Sequence, residues 1–112
     1  MKLRTNVSGS ILVVRIGGEL DLLVTDDFRA KVDRKLDEHP VRNLILNLQG
    51  VKFIDSSGLG VILGRYKRIT AGGGKVALVA APPQVRRILE LSGLLKIMGE
   101  YEKEEQALAA LS

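Results

Sequence analysis

The run Leu44-Ile45-Leu46-Asn47-Leu48 is apolar at four of its five positions. A strand with one wet face alternates apolar and polar residues, so a run of this kind has to be covered on both faces. Chains meet that requirement by laying helices over a parallel or mixed sheet. Few other architectures accept such a strand in the middle of a chain. The flanking sequence therefore has to supply the covering helices, and it does so in regular alternation.

Residues 3–8 read as a short edge strand closed by the turn signal Ser8-Gly9-Ser10, with Ile11-Leu12-Val13-Val14-Arg15-Ile16 as its hairpin partner. Gly17-Gly18 is expected to end that second strand. Thr25 is placed as the N-cap of a helix reaching about residue 38. Asp26 and Asp27 sit in its first turn, Phe28, Val32 and Leu36 on its apolar face, and Pro40 beyond its end. After the 44–48 run, Gln49-Gly50 is read as a turn, and Val51–Ile54 leads into Asp55-Ser56-Ser57. Leu59, Ile62, Leu63, Tyr66 and Ile69 then have helical spacing, and Ala71-Gly72-Gly73-Gly74 stops that helix.

Lys75–Ala81 is a further buried-type strand, and Pro82-Pro83 opens a helix with Val85, Ile88 and Leu89 inward. Leu94–Met98 is a short strand candidate, and Glu102–Leu111 a last amphipathic helix through Ala107, Leu108 and Leu111. The order β-β-α-β-α-β-α-β-α predicts an α/β fold. It is read as one domain over residues 1–112, a mixed, mostly parallel sheet with about four helices packed on it.

Composition excludes several function classes. The chain has 17 basic and 13 acidic residues, a net charge of +4, no cysteine and a single histidine, His39. Disulfide frameworks, thiolate metal sites and a histidine-based zinc site are therefore out of reach. The basic residues are scattered and the aromatics number four (Phe28, Phe53, Tyr66, Tyr101). That is a poor match to a nucleic-acid groove, which interleaves cations with stacking rings. No apolar run approaches the roughly 18 residues that cross a bilayer. The expectation is a soluble, cytoplasmic domain with no nucleic acid and no membrane among its direct partners.

The chemistry concentrates at Asp55-Ser56-Ser57-Gly58-Leu59-Gly60. This stretch lies where a strand gives way to a helix, at the carboxyl end of a strand, the usual ligand position in α/β folds. Three roles are open to its serines. Either hydroxyl can cap the helix. The helix N-terminus can hold an anion. Or a serine can be a kinase substrate, since a phosphate at a helix start is electrostatically tolerable and would change a docking surface without unfolding the domain. Gly58, Gly60 and Gly64 all fall in the first half of this helix, where each is unfavourable relative to alanine. Their clustering points to close approach, either by another element of the fold or by a partner.

Enzyme motifs are missing. The chain has no Gly-x-Ser-x-Gly elbow. Gly72-Gly73-Gly74-Lys75 lacks the spacing of a phosphate-binding loop and precedes a strand instead of a helix, so it is read as a helix stop.

The segment Asp55 to Lys67, Asp-Ser-Ser-Gly-Leu-Gly-Val-Ile-Leu-Gly-Arg-Tyr-Lys, resembles the signature of the bacterial anti-sigma factor antagonists of the STAS-domain family, closest to their sporulation members. Gly18-Glu19-Leu20-Asp21, Leu46-Asn47-Leu48 and Leu91-Ser92-Gly93-Leu94 extend the likeness over most of the chain in the same order. The resemblance implies a partner switch. The unphosphorylated form binds an anti-sigma factor that is also a serine kinase, which frees the sigma factor. Phosphorylation abolishes binding, and a serine phosphatase reverses it.

Carried over, the phosphorylated residue is Ser56, and the partner-binding set is Glu19, Asp21, Asp55, Ser56, Ser57, Gly58, Leu59 and Gly60. The chain itself would need no cofactor, since ATP and Mg belong to the partner kinase. It would have no catalytic residue and would be a monomer when free. A STAS subunit of a stress-signalling complex or of a transport assembly is the alternative. One departure stands out: Leu22-Leu23 follow the Glu-Leu-Asp stretch where the family often has polar residues. They are either buried or an apolar anchor on the docking surface.

Overall fold

The computed structural model describes all residues from Met1 to Ser112. The elements run β1 (Lys2–Ser8), β2 (Ile11–Leu20), α1 (Thr25–Glu38), β3 (Asn43–Ile54), α2 (Ser56–Ala71), β4 (Val76–Val79), α3 (Pro83–Leu91), a 3-10 turn (Leu94–Lys96), β5 (Gly99–Tyr101) and α4 (Glu104–Leu111). The five strands lie side by side in chain order. Only the β1–β2 hairpin is antiparallel, and the other three pairings are parallel. This is the mixed, mostly parallel sheet with four helices that the alternation requires.

The 44–48 run occupies the middle of the sheet, and its two faces meet two different layers. Leu44, Leu46 and Leu48 join Phe28, Val32 and Leu36 of α1, Val61, Ile62 and Ile69 of α2, and Val85 and Leu89 of α3 in the main core. Ile45 faces the other way and packs with Ile11, Val13, Ala77 and Val79 under Ala107 of α4. Three helices therefore cover one face and α4 covers part of the other. No helix is long and apolar enough to cross a membrane.

On that second face the polar residues are paired. Arg15 forks onto Glu104, with Nε to Oε2 at 2.7 Å and Nη2 to Oε1 at 2.8 Å, and Asn47 Nδ2 donates to the same Oε2 at 2.7 Å. These bonds fasten the first turn of α4 across β2 and β3. On the main face, α2 is tied to α1 through charge. Arg65 Nε lies 3.1 Å from Asp33 Oδ1, and Arg68 Nη2 lies 2.6 Å from Asp37 Oδ1.

Several boundaries differ from the sequence reading. Gly17-Gly18 does not end β2, which continues to Leu20, and Gln49-Gly50 does not turn the chain, because β3 is one strand of 12 residues. Glycine signals here mark a register irregularity in a pairing that continues. The ladder shifts between Arg15 and Gly17 and again between Gly18 and Glu19, where Gly17 pairs with Gly50.

Thr25 is not the cap of α1. Val24 holds that position, and the Asp21 carbonyl accepts from both the Val24 and Thr25 N–H groups at 3.1 Å. Leu94–Met98 is not a strand. Leu94 and Met98 are both buried at i, i+4 spacing, which a turn of helix satisfies and an extended segment does not, so β5 begins only at Gly99. The last helix begins at Glu104 rather than Glu102.

Hydrogen bonding from Arg15, assisted by Asn47, holds the Glu104 carboxyl below its ordinary value of 4.5. In the unfolded chain Glu104 returns to that value. Its contribution to stability is therefore present above about pH 4.5 and is lost as the pH falls through the lower folded-state value. We expect Glu104→Gln to lower the urea midpoint at neutral pH, and the gap from wild type to close as the acid limb is reached. A gap independent of pH would refute this account.

Candidate functional site

β2 and β3 are parallel neighbours, so their carboxyl ends emerge on the same side of the sheet. Leu20 pairs with Ile54, and Glu19 with Phe53. That register brings the Glu19–Asp21 segment against the Asp55–Gly60 segment, although more than 30 residues separate them in sequence. The two stretches picked out by the sequence thus form one surface.

Asp55 joins them. It is the N-cap of α2, and its Oδ1 accepts from the Gly58 N–H at 2.9 Å. Its other oxygen, Oδ2, accepts from the Leu22 N–H at 3.1 Å. One carboxylate therefore both starts the helix and holds the loop that follows β2. Asp21 finishes that loop: its Oδ1 accepts from the Leu23 N–H at 3.1 Å, while its carbonyl accepts from Val24 and Thr25. The capping role considered for Ser56 or Ser57 belongs to Asp55. Acceptance at N3 from an aspartate directly before the helix is a standard arrangement, and the Asp-x-x-Gly spacing carried the signal for it.

With the cap assigned, Ser56 is the first residue of α2 and is exposed, and Ser57 is half-buried. Gly58 is buried, and a Cβ there would overlap the Leu20 carbonyl oxygen and come within 2.8 Å of Ile54 Cγ1. The close approach expected of the glycines is real at this one position, and the neighbour is the fold itself. Gly60 and Gly64 are different: a Cβ at either would meet nothing within 4 Å. The fold does not require them to be glycine.

The buried face of α2 is Gly58, Val61, Ile62, Arg65 and Ile69. Leu59 and Tyr66 are half-buried against the core, and Leu63 is half-buried, so the face is turned from the one drawn through Leu59, Leu63 and Tyr66. Gly58 sets this rotation by seating on Leu20.

Leu22 and Leu23 are not buried; they are 71% and 90% exposed. Phe53, which the sequence reading passed over, is 48% exposed at the end of β3. The only cue for Phe53 was its place between Lys52 and the core residue Ile54. Glu19 is exposed and Asp21 half-buried at the same end. Asp26 and Asp27 are matched by Arg29 at 2.7 Å and Lys31 at 3.0 Å, which leaves Glu19, Asp21 and Asp55 as the unpaired acids. No group of three or more potential metal ligands gathers anywhere in the molecule.

These contacts predict distinct stability effects by urea unfolding. Asp55→Ala removes a cap and a loop tie together and should cost about 1–3 kcal/mol. Ser56→Ala should stay within about 0.5 kcal/mol. Gly58→Ala should cost about 1–3 kcal/mol through overlap with Leu20, whereas Gly60→Ala should gain about 0.5–1 kcal/mol. A Ser56→Ala cost equal to that of Asp55→Ala would restore the serine as the cap.

Comparison with known proteins agrees with this architecture. The model of the STAS domain matches residues 2–107. An anti-sigma F factor antagonist from Paenibacillus polymyxa is 45% identical over 101 residues, covering 90% of this chain and 86% of the relative. The solved structure of the anti-sigma factor antagonist SpoIIAA in its unphosphorylated form superposes with a TM-score of 0.84 at 32% identity, covering 97% of this chain and 95% of that one. The structure of the Bacillus cell fate determinant SpoIIAA in its phosphorylated form gives 0.78 at 30% identity, covering 99% and 100%. In sheet order, helix number and sequence alike, this chain belongs to the STAS-domain family, among its anti-sigma factor antagonists.

Proposed function

We propose that the chain works as a partner switch controlled at Ser56. Unphosphorylated, it docks on an anti-sigma factor through the surface formed by Glu19, Asp21, Asp55, Ser56, Ser57, Gly58, Leu59 and Gly60, and a sigma factor is released. The anti-sigma factor is also the kinase: it supplies ATP, Mg and the general base, and transfers a phosphoryl group to the Ser56 hydroxyl. A serine phosphatase regenerates the binding form. The chain contributes a substrate hydroxyl and a docking face, with no catalytic residue of its own. In this reading it is a cytoplasmic monomer when free.

The observation that carries the reading is the division of labour at the start of α2. Asp55 caps the helix, so Ser56 stands exposed at its first position with no structural duty. A phosphate there adds about −1.5 to −2 charge. The helix dipole tolerates it, so the fold is kept. The surface does not stay neutral to it, because Asp55, Asp21 and Glu19 already crowd the same end. A partner adapted to the unmodified face would have to desolvate a dianion in order to dock, and such mismatches cost several kcal/mol. The open space over Gly60 fits the same reading, since a bare backbone lets a partner approach closely.

Mixing the purified chain with an anti-sigma factor kinase and ATP, followed by phosphopeptide mass spectrometry, should place the phosphate on Ser56. Phosphate on Ser57, or none, would sink the assignment. Ser56→Ala should bind the kinase as wild type does and accept no phosphate, while Ser56→Asp should bind at least about tenfold more weakly. Equal affinity for Ser56→Asp would rule out the switch.

A further inference from the structure

We propose that Leu22 and Leu23 form an apolar anchor that seats the unphosphorylated chain in an apolar cleft of its anti-sigma partner, a cleft rimmed by Lys and Arg. The proposal rests on the partner-switch reading and adds the chemistry of the surface that receives this chain. Its first support is exposure without structural need. Both leucines lie in water at 71% and 90% exposure, outside the core, and they are adjacent. Side chains of this size are rarely left so open in pairs unless something covers them.

The second support is rigidity. The backbone of this pair is fixed at three points: Leu22 N–H on Asp55 Oδ2, Leu23 N–H on Asp21 Oδ1, and the following Val24 N–H on the Asp21 carbonyl, each at 3.1 Å. A loop already held in place loses little entropy on docking, so more of the apolar burial appears as affinity. The third support is position. The carboxylate that holds Leu22 is the cap of the helix bearing Ser56, so anchor and hydroxyl share one surface.

Charge identifies the occupant. Around the pair, Glu19, Asp21 and Asp55 carry no ion-pair partner, while Asp26 and Asp27 are matched by Arg29 and Lys31, in a chain whose net charge is +4. The apolar pair therefore sits beside three unpaired carboxylates, two of which hold its backbone, on a chain of net positive charge. A second copy of this chain would bring the same unpaired carboxylates to a symmetric contact, which opposes self-association at this face. A partner with a basic rim around an apolar cleft complements it. Phosphate on Ser56 would then act twice, by adding like charge to these carboxylates and by placing a strongly hydrated group beside side chains that must leave water.

Calorimetric titration against the anti-sigma factor kinase of the same organism, with a non-hydrolysable ATP analogue, tests the proposal. The variants are Leu22→Asn/Leu23→Asn, Ser56→Asp, and Leu91→Asn as control. Leu91 is also 71% exposed but ends α3, a helix that starts from the carboxyl end of β4 and runs back to the opposite side of the sheet.

The double variant should weaken binding at least about tenfold, the scale of burying two leucine side chains. Its urea midpoint should be unchanged, and Leu91→Asn should bind within about twofold of wild type. Raising ionic strength from about 0.1 M to about 1 M, which shortens the screening length from about 10 Å to about 3 Å, should weaken wild type further. Wild-type affinity in the double variant while Ser56→Asp fails to bind would overturn the anchor and leave the switch standing. No binding by wild type would overturn both. A concentration-dependent dimer in light scattering that the double variant abolishes would make a second copy the occupant, and would overturn the proposal as well.

Discussion

The two hydrogen bonds accepted by Asp55 hold the functional end of this molecule together. One oxygen takes the Gly58 N–H and starts α2; the other takes the Leu22 N–H and fixes the loop between β2 and α1. Each bond is of the charge-assisted kind, which is stronger than a neutral one. Their importance lies in what they join. Without them, the loop after β2 and the start of α2 would be held together only by the strand pairing and by Gly58 against Leu20.

That junction depends in turn on the parallel pairing of β2 with β3 and on Gly58. The pairing sets Leu20 opposite Ile54, and Gly58 then seats directly on the Leu20 carbonyl. Any side chain at residue 58 would lift α2 off the sheet and draw the Asp55 carboxylate away from Leu22. The glycines of this helix therefore have separate causes. Gly58 answers to packing inside the fold, whereas a side chain at Gly60 or Gly64 would meet nothing within 4 Å.

The same end of the molecule brings together acids without ion-pair partners, an exposed hydroxyl and exposed leucines. Several charges elsewhere are matched. Arg15 is forked onto Glu104, Arg86 lies 2.6 Å from Glu100, and Arg68 lies 2.6 Å from Asp37. Glu19, Asp21 and Asp55 stand without cations at one end of the sheet, and under the proposed switch a phosphate on Ser56 would add to the negative charge already there.

Much of this was legible in the amino-acid order. The both-faces apolar run at 44–48 dictated a covered central strand. The spacing of Phe28, Val32 and Leu36 dictated α1, and the Gly72–Gly74 stop ended α2 as read. Periodicity and punctuation are local properties, so they survive in sequence. The failures were of another kind. Gly17-Gly18 looked like a strand end and Gln49-Gly50 like a turn because the ladder that carries the strands through them is non-local. Leu94–Met98 looked extended because a run of apolar residues does not say which of them face one core. Whether Leu22 and Leu23 were inside or out depended on contacts across more than 30 residues, whereas the Asp55 cap is local and its Asp-x-x-Gly spacing was there to be read. The sequence alone determined the α/β class, the helix faces and the segment that carries the chemistry. Only the tertiary structure decided that Asp55 also clamps the loop after β2 and that two leucines stand beside Ser56 in water, because these are fixed by the register between strands that are distant in the chain.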